Sequence, residues 1–121
     1  MAFIWVFIGG GIGSMLRYGI SRVVPYAGGF PIATFMANLI SSFILGYLLA
    51  QAFRNNLSQE YRWLLMSGLC GGFSTFSTFS AENFQLMEEG AYKLMIFYVI
   101  CSVVLGIAAI FAGYFLGRGG Q

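Results

Sequence analysis

Four apolar runs, each long enough to cross a lipid bilayer, dominate this sequence. About 20 residues at 1.5 Å rise per residue cross a hydrocarbon core of about 30 Å. The runs cover roughly residues 2–23, 32–53, 61–86 and 91–117, and only short connectors separate them. The first run opens without the basic segment of a cleaved signal peptide, so we count it as a retained span. The sequence therefore predicts an all-α integral membrane protein, with residues 1–121 forming a single domain of four transmembrane helices.

The composition argues against catalytic and metal-binding classes. Of the 121 residues, 59% are hydrophobic and 8% are charged, a balance more apolar than a soluble domain needs. Histidine is absent, which removes the commonest general base and metal ligand. The two cysteines, Cys70 and Cys101, lie within predicted spans, where a thiol packs like an apolar residue. We therefore expect neither a disulfide framework nor an enzyme.

The basic residues leave the orientation in the membrane open. With four spans, one side of the membrane holds Arg54, Arg62 and Arg118, and the other holds Arg22 and Lys93. Arg17 can snorkel toward the second side. The positive-inside rule counts Lys and Arg near the span ends, and here the two sides are nearly equal. Either the rule is weak in such short connectors, or the protein inserts both ways and pairs head to tail.

A second copy of the chain is expected if the protein is a transporter. Four helices of this length can hardly enclose a polar pathway, so a dimer is needed. An antiparallel pair would reproduce the inverted repeat that larger transporters carry within one chain.

Polar residues recur at every fourth position in two of the spans, which places them on one helix face. In the second span this row is Thr34, Asn38, Ser42 and Gly46, and in the fourth it is Tyr98, Ser102 and Gly106. Small and hydroxyl residues also let membrane helices pack closely, so packing remains an alternative for the hydroxyls. For Asn38 we predict a pathway role, because an amide inside a membrane has more hydrogen-bonding groups to satisfy.

Glycine rows occupy other helix faces. Ala109, Gly113 and Gly117 form a small-residue row in the fourth span, and Gly9, Gly13 and Arg17 share a face of the first. We expect the glycines to pack against neighbouring helices. Arg17 needs water, a carbonyl or a counter-charge at membrane depth, so it is either a structural anchor or a charge that lines a vestibule.

The third span contains residues 71–80, GGFSTFSTFS, which include no Ala, Val, Leu, Ile or Met. The glycine pair lowers helix propensity, and Ser and Thr compete for backbone hydrogen bonds. We therefore predict a break near the middle of this span, with 61–70 and 77–87 as two shorter helices. Broken helices at membrane depth indicate a transport site. The alternative is an unbroken helix whose small residues allow close packing.

These side chains are compatible with two kinds of solute. Hydroxyls and an amide donate hydrogen bonds, and the rim of a Phe ring is electropositive, which favours a small anion. Carbonyls freed by an unwound turn favour a cation instead, for example a metal ion bound as a static plug. The composition alone does not decide between a small anion and a cation.

The motifs together resemble those of the Fluc (CrcB) fluoride channels of microbial membranes, over nearly the whole chain. They are GGGIGSMLRY in the first span, the Asn38 segment in the second, GLCGGFSTFSTFSAEN in the third, and Tyr98 with Ser102 in the fourth. The resemblance implies a fluoride-selective channel of the cell membrane, which lowers cytoplasmic fluoride by passive efflux. It also implies an antiparallel, dual-topology homodimer with two fluoride pathways.

The resemblance further implies roles for individual residues. Phe76 and Phe79 match the aromatic pair whose ring edges face fluoride. The other implied pathway residues are the pore amide Asn38, the hydroxyls Ser77 and Thr78, the polar track Tyr98 and Ser102, the acidic Glu82 and the vestibule residue Arg17. Thr34, on the face of Asn38, completes the predicted anion pathway. Gly71 and Ser74 match the positions whose backbone carbonyls hold a structural sodium ion at the dimer interface.

Two rival functions stay open. A proton-coupled small multidrug transporter also uses four short spans and antiparallel dimers, but it needs a membrane-embedded carboxylate. The first span holds Arg17 and no acid, and Glu82 lies toward the end of the third span. The other rival is a membrane assembly protein that conducts nothing. If the chain is a fluoride channel, Gly106 leaves the polar track without a hydroxyl at that position.

Overall fold

The computed structural model describes residues 1–24 and 29–119, so residues 25–28 and 120–121 of the predicted domain lie outside the described part. Helices account for most of the described chain. Helix α1 covers Ala2–Val23, α2 covers Ile32–Phe53, α3 covers 59–73, α4 covers Phe76–Glu88 and α5 covers Tyr92–Gly117. The predicted all-α architecture is confirmed.

Three of these helices are long and apolar enough to cross a membrane. Helices α1 and α2 have 22 residues each, and α5 has 26, so each is at least about 30 Å long at 1.5 Å per residue. Large apolar side chains point outward from α1 and α5, including Phe3, Phe7, Phe111 and Phe115. A chain built this way is an integral membrane protein. The third predicted span is not a continuous helix.

Helix α3 changes its winding along its length. It begins with an α-helical turn at Gln59–Tyr61, continues as a π-helix at Arg62–Cys70 and ends with an α-helical turn at Gly71–Phe73. The side chain of Ser58 caps its start by accepting a hydrogen bond from the backbone N–H of Tyr61. Stretches of π-helix are rare, and they frequently lie at functional sites.

The predicted break is present, but it is shorter and later than the sequence suggested. Ser74 and Thr75 have extended backbone, with ψ of 157° and 118°, and α4 begins at Phe76. Gly71 and Gly72, which we expected to unwind, remain helical. Their neighbour α1 gives the reason, because a Cβ on Gly72 would clash with the carbonyl of Gly10. This close approach holds the end of α3 in one conformation.

Glycines allow α1 and α3 to pack backbone against backbone. A Cβ on Gly9 would clash with the carbonyl oxygen of Leu64, and a Cβ on Gly13 would clash with that of Leu69. The expectation that these two glycines pack is confirmed. The result is a closely packed pair of segments next to the point where α3 ends and the break begins.

Helices α2 and α5 form the second close pair. A Cβ on Gly113 would clash with the carbonyl of Phe43, and Gly117 lies against Tyr47, so the predicted packing of these two glycines is confirmed. Gly46 continues the polar row of α2 in the sequence, yet it also packs, directly against the carbonyl of Ile110. The polar row therefore ends one turn earlier, at Ser42.

Candidate functional site

A groove of about 280 Å³ lies beside the break. Its polar lining comes from two helices and the break itself: Asn38 and Ser42 of α2, Ser74 and Thr75 of the break, and Ser102 of α5. Phe76 and Phe79 of α4 and Gly106 of α5 also line it, and Phe35, Leu39 and Val103 complete the wall. None of these lining side chains carries a charge. The groove can therefore hold a small polar solute through neutral hydrogen-bonding groups.

Asn38 takes over a hydrogen bond that an unbroken helix would have made internally. Its side-chain oxygen accepts a hydrogen bond from the backbone N–H of Thr75 at 3.0 Å. In a continuous α-helix, that N–H would bond to the carbonyl of Gly71, four residues earlier. Asn38 thus stabilises the break and releases the Gly71 carbonyl. Its NH₂ group remains a pair of donors at the groove.

Thr75 makes the corresponding exchange at the start of α4. Its hydroxyl oxygen accepts a hydrogen bond from the backbone N–H of Thr78 at 3.2 Å, which is an N-cap. A continuous helix would direct the Thr78 N–H to the carbonyl of Ser74. The cap therefore releases the Ser74 carbonyl as well. Sequence reasoning missed Thr75, although a Thr directly before a helix is a common N-cap.

The carbonyl of Cys70, one residue before Gly71, is fully occupied. It accepts hydrogen bonds from the Ser74 backbone N–H at 3.1 Å, the Ser74 hydroxyl at 2.9 Å and the Ser41 hydroxyl at 3.0 Å. The structure thus distinguishes neighbouring carbonyls: that of Cys70 is saturated, whereas those of Gly71 and Ser74 are released from helical pairing. Gly71 is also exposed, with open space where a side chain would lie.

Backbone oxygens are the metal donors that this site offers. Within residues 1–24 and 29–119 there is no group of three or more His, Cys, Asp or Glu side chains that could hold a metal ion. The released carbonyls of Gly71 and Ser74 are neutral, hard oxygen ligands, which suit a small hard cation. The donor set therefore fits the sodium ion that the resemblance implies.

The two aromatic residues predicted for the pathway lie together at the groove. The ring centroids of Phe76 and Phe79 are 5.9 Å apart, and Phe79 also contacts Tyr98, with centroids 4.9 Å apart. Phe76 is 79% exposed, whereas Phe73, on the other side of the break, is 4% exposed. The Phe repeat thus divides into one core ring and two groove rings.

Glu82 joins three helices through two short hydrogen bonds. The hydroxyl of Thr34 donates to one carboxylate oxygen at 2.7 Å, and that of Tyr98 donates to the other at 2.8 Å. The structure therefore brings these three predicted pathway residues into one cluster. None of them lines the 280 Å³ groove. Both hydroxyls donate to the carboxylate, so in this arrangement neither is available to an anion.

A second cavity of about 250 Å³ adjoins this cluster. Its lining includes Arg17, Thr34, Thr78 and Glu82. The Arg17 guanidinium donates from Nε to the carbonyl of Gly72 at 3.4 Å. Arg17 thus contacts a backbone carbonyl and also lines this cavity, and its role as a vestibule charge stays a prediction. Ser77 is exposed and lines neither cavity.

Comparison with known proteins identifies the family. Residues 4–114 match the model of the family described as CrcB-like protein, Camphor Resistance (CrcB). The chain belongs to the CrcB family. The fluoride-specific ion channel FluC of Pyrococcus abyssi is 46% identical over 112 residues, covering 92% of this chain and 91% of the relative. The protein of the same name from Bacteroides fragilis is 42% identical over 120 residues, covering 95% and 94%. The resemblance found in the sequence is confirmed.

In this member of the CrcB family, the third-span motif lies at the break beside the groove. The motif of this CrcB chain, GGFSTFSTFS, spans the end of α3, the break and the first turns of α4. Two hydroxyl-bearing groove residues were absent from the predicted site, namely Thr75 and Ser42. Ser42 carried a sequence signal, because it follows Asn38 by one helical turn. Its position in the groove depends on how α2 and α5 pack.

Proposed function

We propose that this CrcB chain is a fluoride-selective channel that lowers cytoplasmic fluoride by passive efflux across the cell membrane. The observation that carries the proposal is the uncharged groove at the break, where hydroxyl and amide donors lie beside the Phe76 and Phe79 rings. The relatives named fluoride-specific ion channel FluC support it. Because these relatives are ion channels, the chain is not an enzyme.

The groove can replace water around a small anion. Fluoride is strongly hydrated, so a narrow pathway has to supply hydrogen bonds in place of that water. The Asn38 NH₂ group and the Ser102 hydroxyl donate them, and the electropositive edges of the two Phe rings add weaker electrostatic contacts. No carboxylate lines the groove, which avoids repulsion of an anion. Larger anions would fit the same donors less closely.

A second copy in the opposite orientation would complete the pathway. Phe76 and Gly71 are exposed on the single chain, and backbone carbonyls released at membrane depth need a partner. The third segment, α3 with α4, then acts as a fourth, broken transmembrane element. The near-equal basic residues on the two sides allow insertion in both orientations. We therefore propose an antiparallel, dual-topology homodimer with two fluoride pathways, surrounded by membrane lipid.

The same dimer would hold a structural sodium ion. The carbonyls of Gly71 and Ser74 from both copies would supply four oxygen ligands, and the ion would neutralise their partial negative charge. Each buried carbonyl left unsatisfied costs about 1–3 kcal/mol, so the ion stabilises the interface. No step of conduction passes through it.

Flux from reconstituted vesicles tests the proposed function. Purified protein in liposomes loaded with potassium fluoride should release fluoride to a fluoride electrode once valinomycin balances the charge. Liposomes loaded with potassium chloride should release far less chloride under the same conditions. Proton-coupled uptake of a cationic drug would instead support the multidrug transporter, and absence of any flux would support an assembly protein.

A further inference from the structure

We infer that the Ser42 hydroxyl is a further hydrogen-bond donor to the anion in the groove. It would fill the place in the row Tyr98, Ser102, Gly106 where glycine offers no side chain. This inference rests on the proposed anion pathway and adds a residue from a different helix to it.

Ser42 occupies the space beside Gly106. A Cβ built on Gly106 would lie 3.9 Å from the Ser42 hydroxyl oxygen, which is an ordinary van der Waals distance. One turn further along, Gly46 packs against the backbone of Ile110 and holds α2 close to α5. The two helices thus bring the Ser42 hydroxyl to the position where a short polar side chain at 106 would place its own.

A comparison with Ser41 argues against a packing role for Ser42. The hydroxyl of Ser41 is buried and donates to the Cys70 carbonyl at 3.0 Å. Among residues 1–24 and 29–119, the Ser42 hydroxyl has no such partner, although it lines the groove. The close approach of α2 to α5 depends on Gly46, Gly113 and Gly117 instead. Ser42 is therefore a donor in need of an acceptor.

A second unpaired hydroxyl faces the same groove from α5. The Ser102 hydroxyl oxygen is buried and lacks a hydrogen-bond partner within the described part of the chain. Ser102 precedes Gly106 by one helical turn, so the two hydroxyls come from facing helices. A small monovalent anion, which accepts several hydrogen bonds at once, satisfies both. A cation would leave both O–H groups without an acceptor.

Fluoride efflux from liposomes containing the full chain tests the assignment by loss and rescue. Ser42→Ala should lower the rate by about tenfold, the effect of one lost hydrogen bond to an anion. Adding Gly106→Ser to this variant should restore most of the rate, because the new hydroxyl enters the same space. The matched control adds Ala108→Ser, on an exposed face of α5, and should restore nothing. Ser42→Cys, nearly isosteric but a weaker donor, should also conduct more slowly.

The possible outcomes distinguish failure of the Ser42 inference from failure of the proposed channel function. Wild-type rates in Ser42→Ala or Ser42→Cys would overturn the inference while the wild-type channel still conducts fluoride. So would a slow Ser42→Ala variant that Gly106→Ser and Ala108→Ser restore equally. Size-exclusion profiles in detergent identify variants that fail to fold, and Ser42→Cys then decides the case. No fluoride efflux from the wild-type protein would instead reject the proposed function, and the inference with it.

Discussion

At the scale of single residues, the structure assigns chemically identical side chains of one repeat to different tasks. Phe73 is in the core, whereas Phe76 and Phe79 line the groove. Likewise, Thr75 caps a helix while Thr78 lines the second cavity. The break produces this division, because the extended backbone of Ser74 and Thr75 leaves Phe73 at the end of α3, whereas Phe76 and Phe79, three residues apart, share one face of α4.

The ring edges should matter for conduction at the groove and not in the core. Phe76→Ile or Phe79→Ile keeps the bulk and apolarity but removes the ring quadrupole, so fluoride efflux should fall by at least about tenfold. Phe73→Ile should leave efflux per folded channel near the wild-type rate and lower thermal stability, because the smaller side chain leaves a cavity. Equal efflux in all three variants would return the two groove rings to a packing role.

Several residues of the groove could be predicted from the sequence, whereas their contacts depend on the tertiary structure. Asn38 was singled out because an amide inside a membrane has more hydrogen-bonding groups to satisfy than a hydroxyl. Its bond to the Thr75 backbone, however, requires α2 to cross the break, which no local pattern encodes. The binding of Glu82 to both Thr34 and Tyr98 likewise depends on three helices meeting. The roles of these residues in conduction remain predictions.

The Glu82 cluster should contribute measurably to stability. Tyr98 is 0% exposed, so Tyr98→Phe removes a buried donor and leaves one carboxylate oxygen short of a hydrogen bond, at a cost of about 1–3 kcal/mol. Thermal unfolding in detergent should show a lower midpoint for this variant. Tyr92→Phe, at an exposed position, is the matched control and should unfold like the wild type. Indistinguishable midpoints for both variants would contradict the contribution of the Glu82 bond.

At the scale of helices, backbone proximity decides where the third segment is helical. The sequence predicted a break beginning at the glycine pair, from intrinsic propensity. The break lies at Ser74 and Thr75 instead, because α1 packs directly on Gly72 and favours the helical conformation there. Propensity correctly predicted that this span is interrupted. The packing partner, which no single-span pattern contains, determined the position.

The glycine contacts between α1 and α3 should tolerate no methyl group. Gly9→Ala forces a Cβ against the Leu64 carbonyl, so the helices must separate and the folded fraction should fall sharply. Gly11→Ala meets nothing within 4 Å and should stabilise α1 by about 0.5–1 kcal/mol through helix propensity. Yields of folded protein and unfolding midpoints measure both. A well-folded Gly9→Ala protein would show that this backbone contact is dispensable.

The Thr75 cap should control the sodium requirement of the dimer. Thr75→Val removes the acceptor of the Thr78 N–H, which can then return to the Ser74 carbonyl and occupy a proposed sodium ligand. When sodium is progressively replaced by N-methylglucamine, the dimer of this variant should dissociate at a higher remaining sodium concentration than the wild-type dimer. In Thr75→Val, loss of the cap alone should cost about 0.5–2 kcal/mol of stability. Thr75→Ser keeps the hydroxyl and should behave like the wild type. Equal sodium dependence in the Val and Ser variants would show that the Thr75 cap does not affect sodium binding.

At the scale of the whole molecule, the helical class predicted from the sequence is confirmed, whereas residues 1–24 and 29–119 contain three continuous helices of spanning length in place of the four predicted spans. The groove, however, lies open on a single chain, and Phe76 and Gly71 are exposed on the side that the proposed dimer would cover. The arrangement of two chains cannot follow from patterns within one. In the proposed dimer, the arrangement would depend on the near-equal numbers of basic residues on the two sides and on the surfaces that each orientation buries.

Cross-linking of single-cysteine variants should report the relative orientation of the two chains. In the proposed topology, where α3 and α4 together cross the membrane, the connector after α2 (represented by Asn56) and the start of α5 (represented by Lys93) lie on opposite sides of the membrane. Both positions are exposed. In an antiparallel dimer, Asn56 of one copy and Lys93 of the other share a membrane face. With Cys70 and Cys101 replaced by Ala, mixtures of Asn56→Cys and Lys93→Cys chains should therefore form mixed cross-links in preference to like pairs. A reagent of fixed length and tagged chains of different size distinguish the products. Cross-links formed exclusively between two Asn56→Cys chains or between two Lys93→Cys chains would establish a parallel dimer, in which the two grooves and the released carbonyls would not be related by an inverted repeat.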